Sequence, residues 1–156
     1  MTAELLAKCT SKGIMITCAE SCTGGMLAAA LTDLPGSSAM LERGFVTYTN
    51  SAKIEMLGVT ATSLNAFGAV SEVVAKEMAA GALSRSAAQV AVAITGIAGP
   101  GGSDHKPEGR VCFGLATAQS TRVETVDFGP LGRENVRSKA RDHAVQLLLG
   151  VINTLP

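Results

Sequence analysis

The run Val90-Ala91-Val92-Ala93-Ile94 is apolar at every position, so a strand built from it has no face that water can cover. A half-exposed strand would alternate polar with apolar. The chain must therefore place this strand, over about Gln89–Ile94, inside a sheet with a layer packed on each side. Around it the pattern alternates between helical and extended segments. A first helix is expected over residues 3–12, closed by Lys12-Gly13, and a strand begins at Ile14. A turn at Ser21 leads into a helix from about Thr23 to Leu34, which Pro35-Gly36-Ser37-Ser38 ends; a short helical segment follows. Gly44-Phe45-Val46-Thr47-Tyr48-Thr49 reads as a second strand, and Asn50 as the cap of a helix over Ser51–Leu57 that Gly58 stops.

Ser71 is placed to cap a long helix from Glu72 to about Ser84. Strands at roughly 110–118 and 122–128, separated by Gln119-Ser120-Thr121, form an antiparallel hairpin, and a last helix covers about Arg133–Asn153. This order predicts one α/β domain over residues 1–156, a three-layer α/β/α sandwich around a mixed, mainly parallel sheet. A chain of 156 residues is long enough to bury such a core without disulfides or metal staples.

Thirteen basic and thirteen acidic side chains cancel without a Lys/Arg cluster, which argues against a nucleic-acid or membrane-surface partner. No apolar run approaches membrane-spanning length and no secretory leader is legible, so a cytoplasmic location is expected. Cys9, Cys18, Cys22 and Cys112 lack metal-ligand spacing and read as reduced core residues; no metal or other cofactor is expected. The alanine-rich helices leave room for a homodimer or a higher homo-oligomer.

If the first three strands run parallel, three loops open at one sheet edge: Glu20 to Gly25, Asn50 to Lys53, and Thr95 to Gly102. In the first, Ser21 is a candidate nucleophile, with Thr23, Gly24 and Gly25 supplying N–H groups for an oxyanion. The plainer alternative is that Ser21 or Thr23 caps the following helix, an effect of about 1 kcal/mol. Glu20 either orients a ligand or base, or is a solvated turn residue. His105 and His143 are poorly placed as bases, whereas Lys53, desolvated at the start of its helix, would lose its proton readily and serve as one. Alone, Lys53 is equally a solvated helix lysine, and Tyr48 a packing residue. Thr95-Gly96-Ile97-Ala98-Gly99-Pro100-Gly101-Gly102 has the glycine density to wrap a phosphate or ribose, yet fits neither common nucleotide fingerprint; otherwise it is a surface loop continuing to Gly109. Arg133, Arg137 and Arg141 share a helix face, either solvated or reaching a phosphate.

Taken together, Ala19-Glu20-Ser21-Cys22-Thr23-Gly24-Gly25, Pro35-Gly36-Ser37-Ser38, Gly44-Phe45-Val46-Thr47-Tyr48 with Asn50 and Ala52-Lys53, Gly68-Ala69-Val70-Ser71, and Thr95 to Gly102 resemble the CinA C-terminal domain family. The likeness covers about residues 5–150. It implies hydrolysis of the carboxamide of nicotinamide mononucleotide to nicotinate mononucleotide and ammonia, within pyridine nucleotide salvage and without a metal. By the same resemblance Ser21 is the nucleophile, Lys53 its base, and Tyr48 a neighbour positioning lysine or substrate. Ser38 contacts the ligand, Thr95, Gly96 and Gly99 line the nucleotide site, and Arg137 holds the phosphate. Two other readings stay open: a non-catalytic nucleotide-binding or regulatory module linked to competence or DNA damage, and an amidase for a different carboxamide.

Overall fold

The computed structural model describes residues 1–103 and 105–156; the loop position Asp104 lies outside them. The chain runs α1 (Thr2–Lys12), β1 (Ile16–Glu20), α2 (Met26–Leu31), a 3-10 turn (Ser37–Ala39), β2 (Leu41–Val46), α3 (Asn50–Leu57), α4 (Ala61–Phe67), α5 (Glu72–Ser84), β3 (Val90–Gly96), β4 (Arg110–Ala116), β5 (Thr121–Asp127) and α6 (Arg133–Thr154). The five strands form one sheet in the order β2-β1-β3-β4-β5. β1 is parallel to both β2 and β3, and β4 and β5 continue the sheet antiparallel, so the mixed sheet has its parallel strands on one side and a hairpin on the other.

The apolar run 90–94 is fully buried and supplies both cores. Val90, Val92 and Ile94 join β1 residues Ile16 and Cys18 under α1, α2 and α6. Ala91 and Ala93 meet α3, α4 and α5 through Leu57, Leu64, Val74 and Met78. This is the period-2 alternation of a strand covered on both faces, with large side chains toward one helix layer and alanines toward the other. Burying each of Val90, Val92 and Ile94 is worth about 1.5–3 kcal/mol, so this strand alone is comparable with the net stability of an ordinary domain. The alanine face lets α5 approach closely. A Cβ at Gly114 would lie 2.3 Å from the Ala75 carbonyl oxygen, and one at Gly81 only 1.9 Å from that of Leu57. No other residue fits either position without moving backbone.

β1 begins at Ile16 rather than Ile14 and α2 ends at Leu31 rather than Leu34, and other differences from expectation have local reasons. α2 begins at Met26 rather than Thr23, because Gly24 (φ 57°) and Gly25 (φ 106°) hold the left-handed backbone that no helix interior uses. β2 is displaced to 41–46: Glu42 and Arg43 are tolerated because it is an edge strand, and beyond Val46 the chain leaves the ladder so that Thr49 can cap α3. Thr49 Oγ1, not Asn50, accepts from the Ala52 amide at 3.1 Å. The helix α4 was not expected. Its Thr60 cap accepts from the Ser63 amide, but Leu64 is its one buried residue, so Thr/Ser/Asn-rich sequence carries little helical periodicity. Ser71 caps α5 as read, accepting from Val74. All four cysteines are free and buried. Among the described residues no helix is long and apolar enough to cross a membrane.

Candidate active site

The three parallel strands deliver their C-terminal ends to one edge of the sheet. Beyond β1 the ladder persists for one residue on each side: the Ser21 amide donates to the Ile94 carbonyl at 2.9 Å, and the Thr47 amide to that of Glu20 at 2.8 Å. Ser21 is thereby fixed between β2 and β3, 7% exposed. The β2–α3 turn brings Lys53 over it. Lys53 is 1% exposed, with its Nζ 2.9 Å from Ser21 Oγ, 2.7 Å from the Thr47 carbonyl oxygen and 3.4 Å from that of Tyr48. An ammonium here donates all three protons. A neutral amine keeps the two carbonyl bonds and turns its lone pair to the serine hydroxyl, the arrangement a general base needs. Burial lowers the Lys53 pKa from 10.5 to about 8, which brings the neutral form within reach of physiological pH.

The neighbouring thiol does not compete. Burial pushes Cys22 up to about 12, leaving it protonated, and its Sγ lies 3.1 Å from where a Cβ on Gly96 would be. Neither Ser21 nor Thr23 caps α2. That role falls to Glu20, read from the sequence as a ligand contact or a solvated turn residue and found completely buried. Its Oε1 accepts from the amides of Gly25 (3.3 Å) and Leu27 (2.9 Å), and its Oε2 from that of Ala28 (3.0 Å). A carboxylate at a helix N-terminus satisfies orphan donors and complements the helix dipole. It leaves Glu20 no free face for substrate.

The glycine amides expected to be free in this turn are engaged. Gly24 N–H is spent on the Ser21 carbonyl and Gly25 N–H on Glu20. The Thr23 amide has no acceptor among the described residues and the Cys22 amide has only its own thiol, and both lie next to Ser21. Arg137, expected to hold a phosphate, instead braces this turn, with its Nε on the Cys22 carbonyl (3.0 Å) and Nη2 on that of Thr23 (3.4 Å). The hydroxyls of Thr23 and Thr47 are buried with no partner among the described residues.

Tyr48 is 56% exposed, and it touches Lys53 through its main-chain carbonyl rather than its phenol. The phenol oxygen accepts from Arg133 at 2.6 Å. Thr95 and Gly96 are the last residues of β3 rather than loop, and the Thr95 hydroxyl donates to the Ala69 carbonyl at 2.9 Å, tying the strand end to the α4–α5 loop. Gly96 and Gly99 line a cavity of about 320 Å³ that also includes Lys106 and Arg133. Ser38 sits apart. It is exposed in the 3-10 turn before β2, whose first residue pairs with Ile16 at the start of β1. It therefore lies at the opposite sheet edge, a strand of five residues or about 17 Å from Ser21, and is not brought together with Lys53 and Ser21. His143 is engaged with Glu124 and packs on Phe113 under the β4–β5 hairpin. Thr47, Lys106 and Arg133 were not singled out as site residues. Arg133 was visible as one of three arginines on a face, whereas the Thr47 contribution is a main-chain carbonyl with no side-chain signature.

The chain is similar to known proteins over most of its length. The family model for the CinA C-terminal domain matches residues 1–152. The nicotinamide-nucleotide amidohydrolase PncC of Enterobacter agglomerans is 50% identical over 151 residues, 96% of this chain and 92% of that protein. The protein of the same name from Escherichia coli K12 is 50% identical over 139 residues, 88% and 84% of the two chains. The crystal structure of the competence/damage inducible protein CihA from Agrobacterium tumefaciens superposes with a TM-score of 0.93 at 45% identity, covering 97% of this chain and 93% of that one.

Proposed function

The chain belongs to the CinA C-terminal domain family, and from that membership we propose that it is a nicotinamide-nucleotide amidohydrolase working through a Ser21–Lys53 pair. The relatives at 50% identity over nearly their full lengths carry that activity in their names. The observation that carries the mechanism is the buried 2.9 Å contact between Lys53 Nζ and Ser21 Oγ, with the lysine pKa lowered to about 8.

Neutral Lys53 takes the Ser21 proton as Oγ attacks the carboxamide carbon. The carbonyl oxygen becomes an oxyanion facing the Cys22 and Thr23 amides. Lys53, now an ammonium, returns its proton to the departing nitrogen, and ammonia leaves an ester on Ser21. A water gives its proton to Lys53 and attacks the ester; Ser21 regains that proton as nicotinate mononucleotide departs for pyridine nucleotide salvage. General-base assistance of this kind contributes about 10²–10⁴-fold. Glu20 and Arg137 act one step removed: the carboxylate anchors the start of α2 and the guanidinium holds the two carbonyls after Ser21, so the turn keeps its shape as charge develops.

The test is ammonia release from nicotinamide mononucleotide by the purified protein, with the acid product identified by mass. Stoichiometric nicotinate mononucleotide is expected. Release of ammonia from nicotinamide or its riboside but not from the mononucleotide would reassign the substrate, and no release from any of them would remove the amidase reading.

A further inference from the structure

On the reading that the substrate is a mononucleotide, we infer that its phosphomonoester is held by Arg133 and Lys106 over the glycine-rich turn that follows β3. Arg137, the residue the sequence suggests for this task, points its Nε and Nη2 at the Cys22 and Thr23 carbonyls and does not line the cavity beside the glycine-rich turn. Arg133 and Lys106 instead line the cavity of about 320 Å³ whose floor includes Gly96, Gly99 and Gly101. A cavity of that size is at the lower end of ligand sites.

Both cations are held in place by uncharged partners among the described residues. Arg133 Nη1 donates to the Gly99 carbonyl at 2.8 Å and Nη2 to the Tyr48 phenol at 2.6 Å, which uses two of its five N–H groups. Lys106 Nζ donates to the carbonyls of Phe67 and Val70 and keeps a third proton. Neither forms an ion pair with a described carboxylate. Among the described residues the acid bound to the turn is Glu108, which accepts from the Gly101 amide at 2.7 Å and does not line the cavity. The amides of Ala98 and Gly99 have no acceptor among the described residues. Two fixed positive charges, each with unused donors, and free main-chain N–H groups on the turn suit a dianionic phosphate, with the Glu108 carboxylate packed against Gly99 beside them.

The position is right for the substrate. Carboxamide and phosphate lie at opposite ends of the mononucleotide, with pyridine ring and ribose between. Tyr48 spans the matching interval in the protein, its carbonyl against Lys53 and its phenol against Arg133. Gly96, packed under Cys22, joins the nucleophile turn to the cavity floor.

Calorimetry with ribose 5-phosphate and ribose tests the subsite without turnover. The wild type should bind the phosphate ester in preference to ribose, and Arg133→Ala and Lys106→Met should each weaken that binding about tenfold or more, with Arg133→Lys retaining part of it. In the amidase assay Arg133→Ala should act mainly by raising KM for the mononucleotide. Equal binding of ribose and its phosphate by the wild type, or undiminished phosphate binding by both substituted proteins, would overturn the subsite. So would a fall in kcat at constant KM in Arg133→Ala. Selective ribose 5-phosphate binding that depends on Arg133, in a protein releasing no ammonia from the mononucleotide, would refute the amidase reading and leave the subsite standing.

Discussion

The pH dependence of turnover follows from one number. In the proposed mechanism Lys53 acts as the neutral amine, and burial lowers its pKa to about 8, against 10.5 for a solvated lysine. Below pH 8 the active fraction falls tenfold per pH unit: about half at pH 8, roughly a tenth at pH 7 and about a hundredth at pH 6. Initial rates of ammonia release at low mononucleotide concentration give kcat/KM, which reports the free enzyme. The profile should climb about fiftyfold from pH 6 to 8 and level off near pH 9. Lys53→Arg, which cannot deprotonate, should abolish the rise together with the activity. An inflection near 6.5 would assign the base to a histidine, and a log-linear rise continuing past pH 9.5 would mean that Lys53 is not desolvated. A flat profile would remove a titrating base altogether. Each of these refutes the reasoning.

The same shift has a cost for the fold. Between about pH 8 and 10.5 the unfolded chain holds a proton on Lys53 that the folded chain has released, so stability rises with pH across that window. Below pH 8 both states are protonated, and the folded state carries the full penalty of about 3 kcal/mol. Lys53→Met removes that penalty but orphans the Thr47 carbonyl at about 1–2 kcal/mol, so urea unfolding at pH 7 should find it at least as stable as wild type; a lower midpoint would contradict this. Glu20→Ala leaves the Gly25, Leu27 and Ala28 amides without an acceptor, two of them partly within reach of water, and should destabilise by about 2–4 kcal/mol. A loss below about 0.5 kcal/mol in urea unfolding would show that the carboxylate does not anchor α2.

The layers were legible because periodicity reports burial directly: the run 90–94 is continuously apolar and lies at the sheet's centre with both faces covered. The turn at Ser21 was legible too, since a strand, a serine and paired glycines follow one another without interruption. What escaped depends on where main-chain groups point. Glu20 reads as a turn residue until Gly24 and Gly25 shift the start of α2, after which the helix's first amides face back onto it. A signal was present: no Ser, Thr, Asp or Asn immediately precedes Met26, so the orphan donors had to find an acceptor elsewhere. The roles of Arg133 and Arg137 could not be separated from spacing, because four residues apart they share one face of α6. Only the fold shows that the first reaches the glycine-rich cavity and the second braces the nucleophile turn. Ser38 is close to Ser21 in sequence, but the chain crosses the length of the sheet between them.

The account rests on Ser21 as the nucleophile, and Ser21→Ala addresses it most directly. The substitution removes one hydroxyl from a nearly buried site whose main-chain bonds to Ile94 and Gly24 do not involve it, so the protein should fold as wild type does. Ammonia release from nicotinamide mononucleotide, measured beside wild type at pH 8.5 with folding confirmed by circular dichroism, should fall by about 10³-fold or more. Turnover within about tenfold of wild type would contradict the Ser21–Lys53 mechanism and leave the carboxamide to be attacked by water directly.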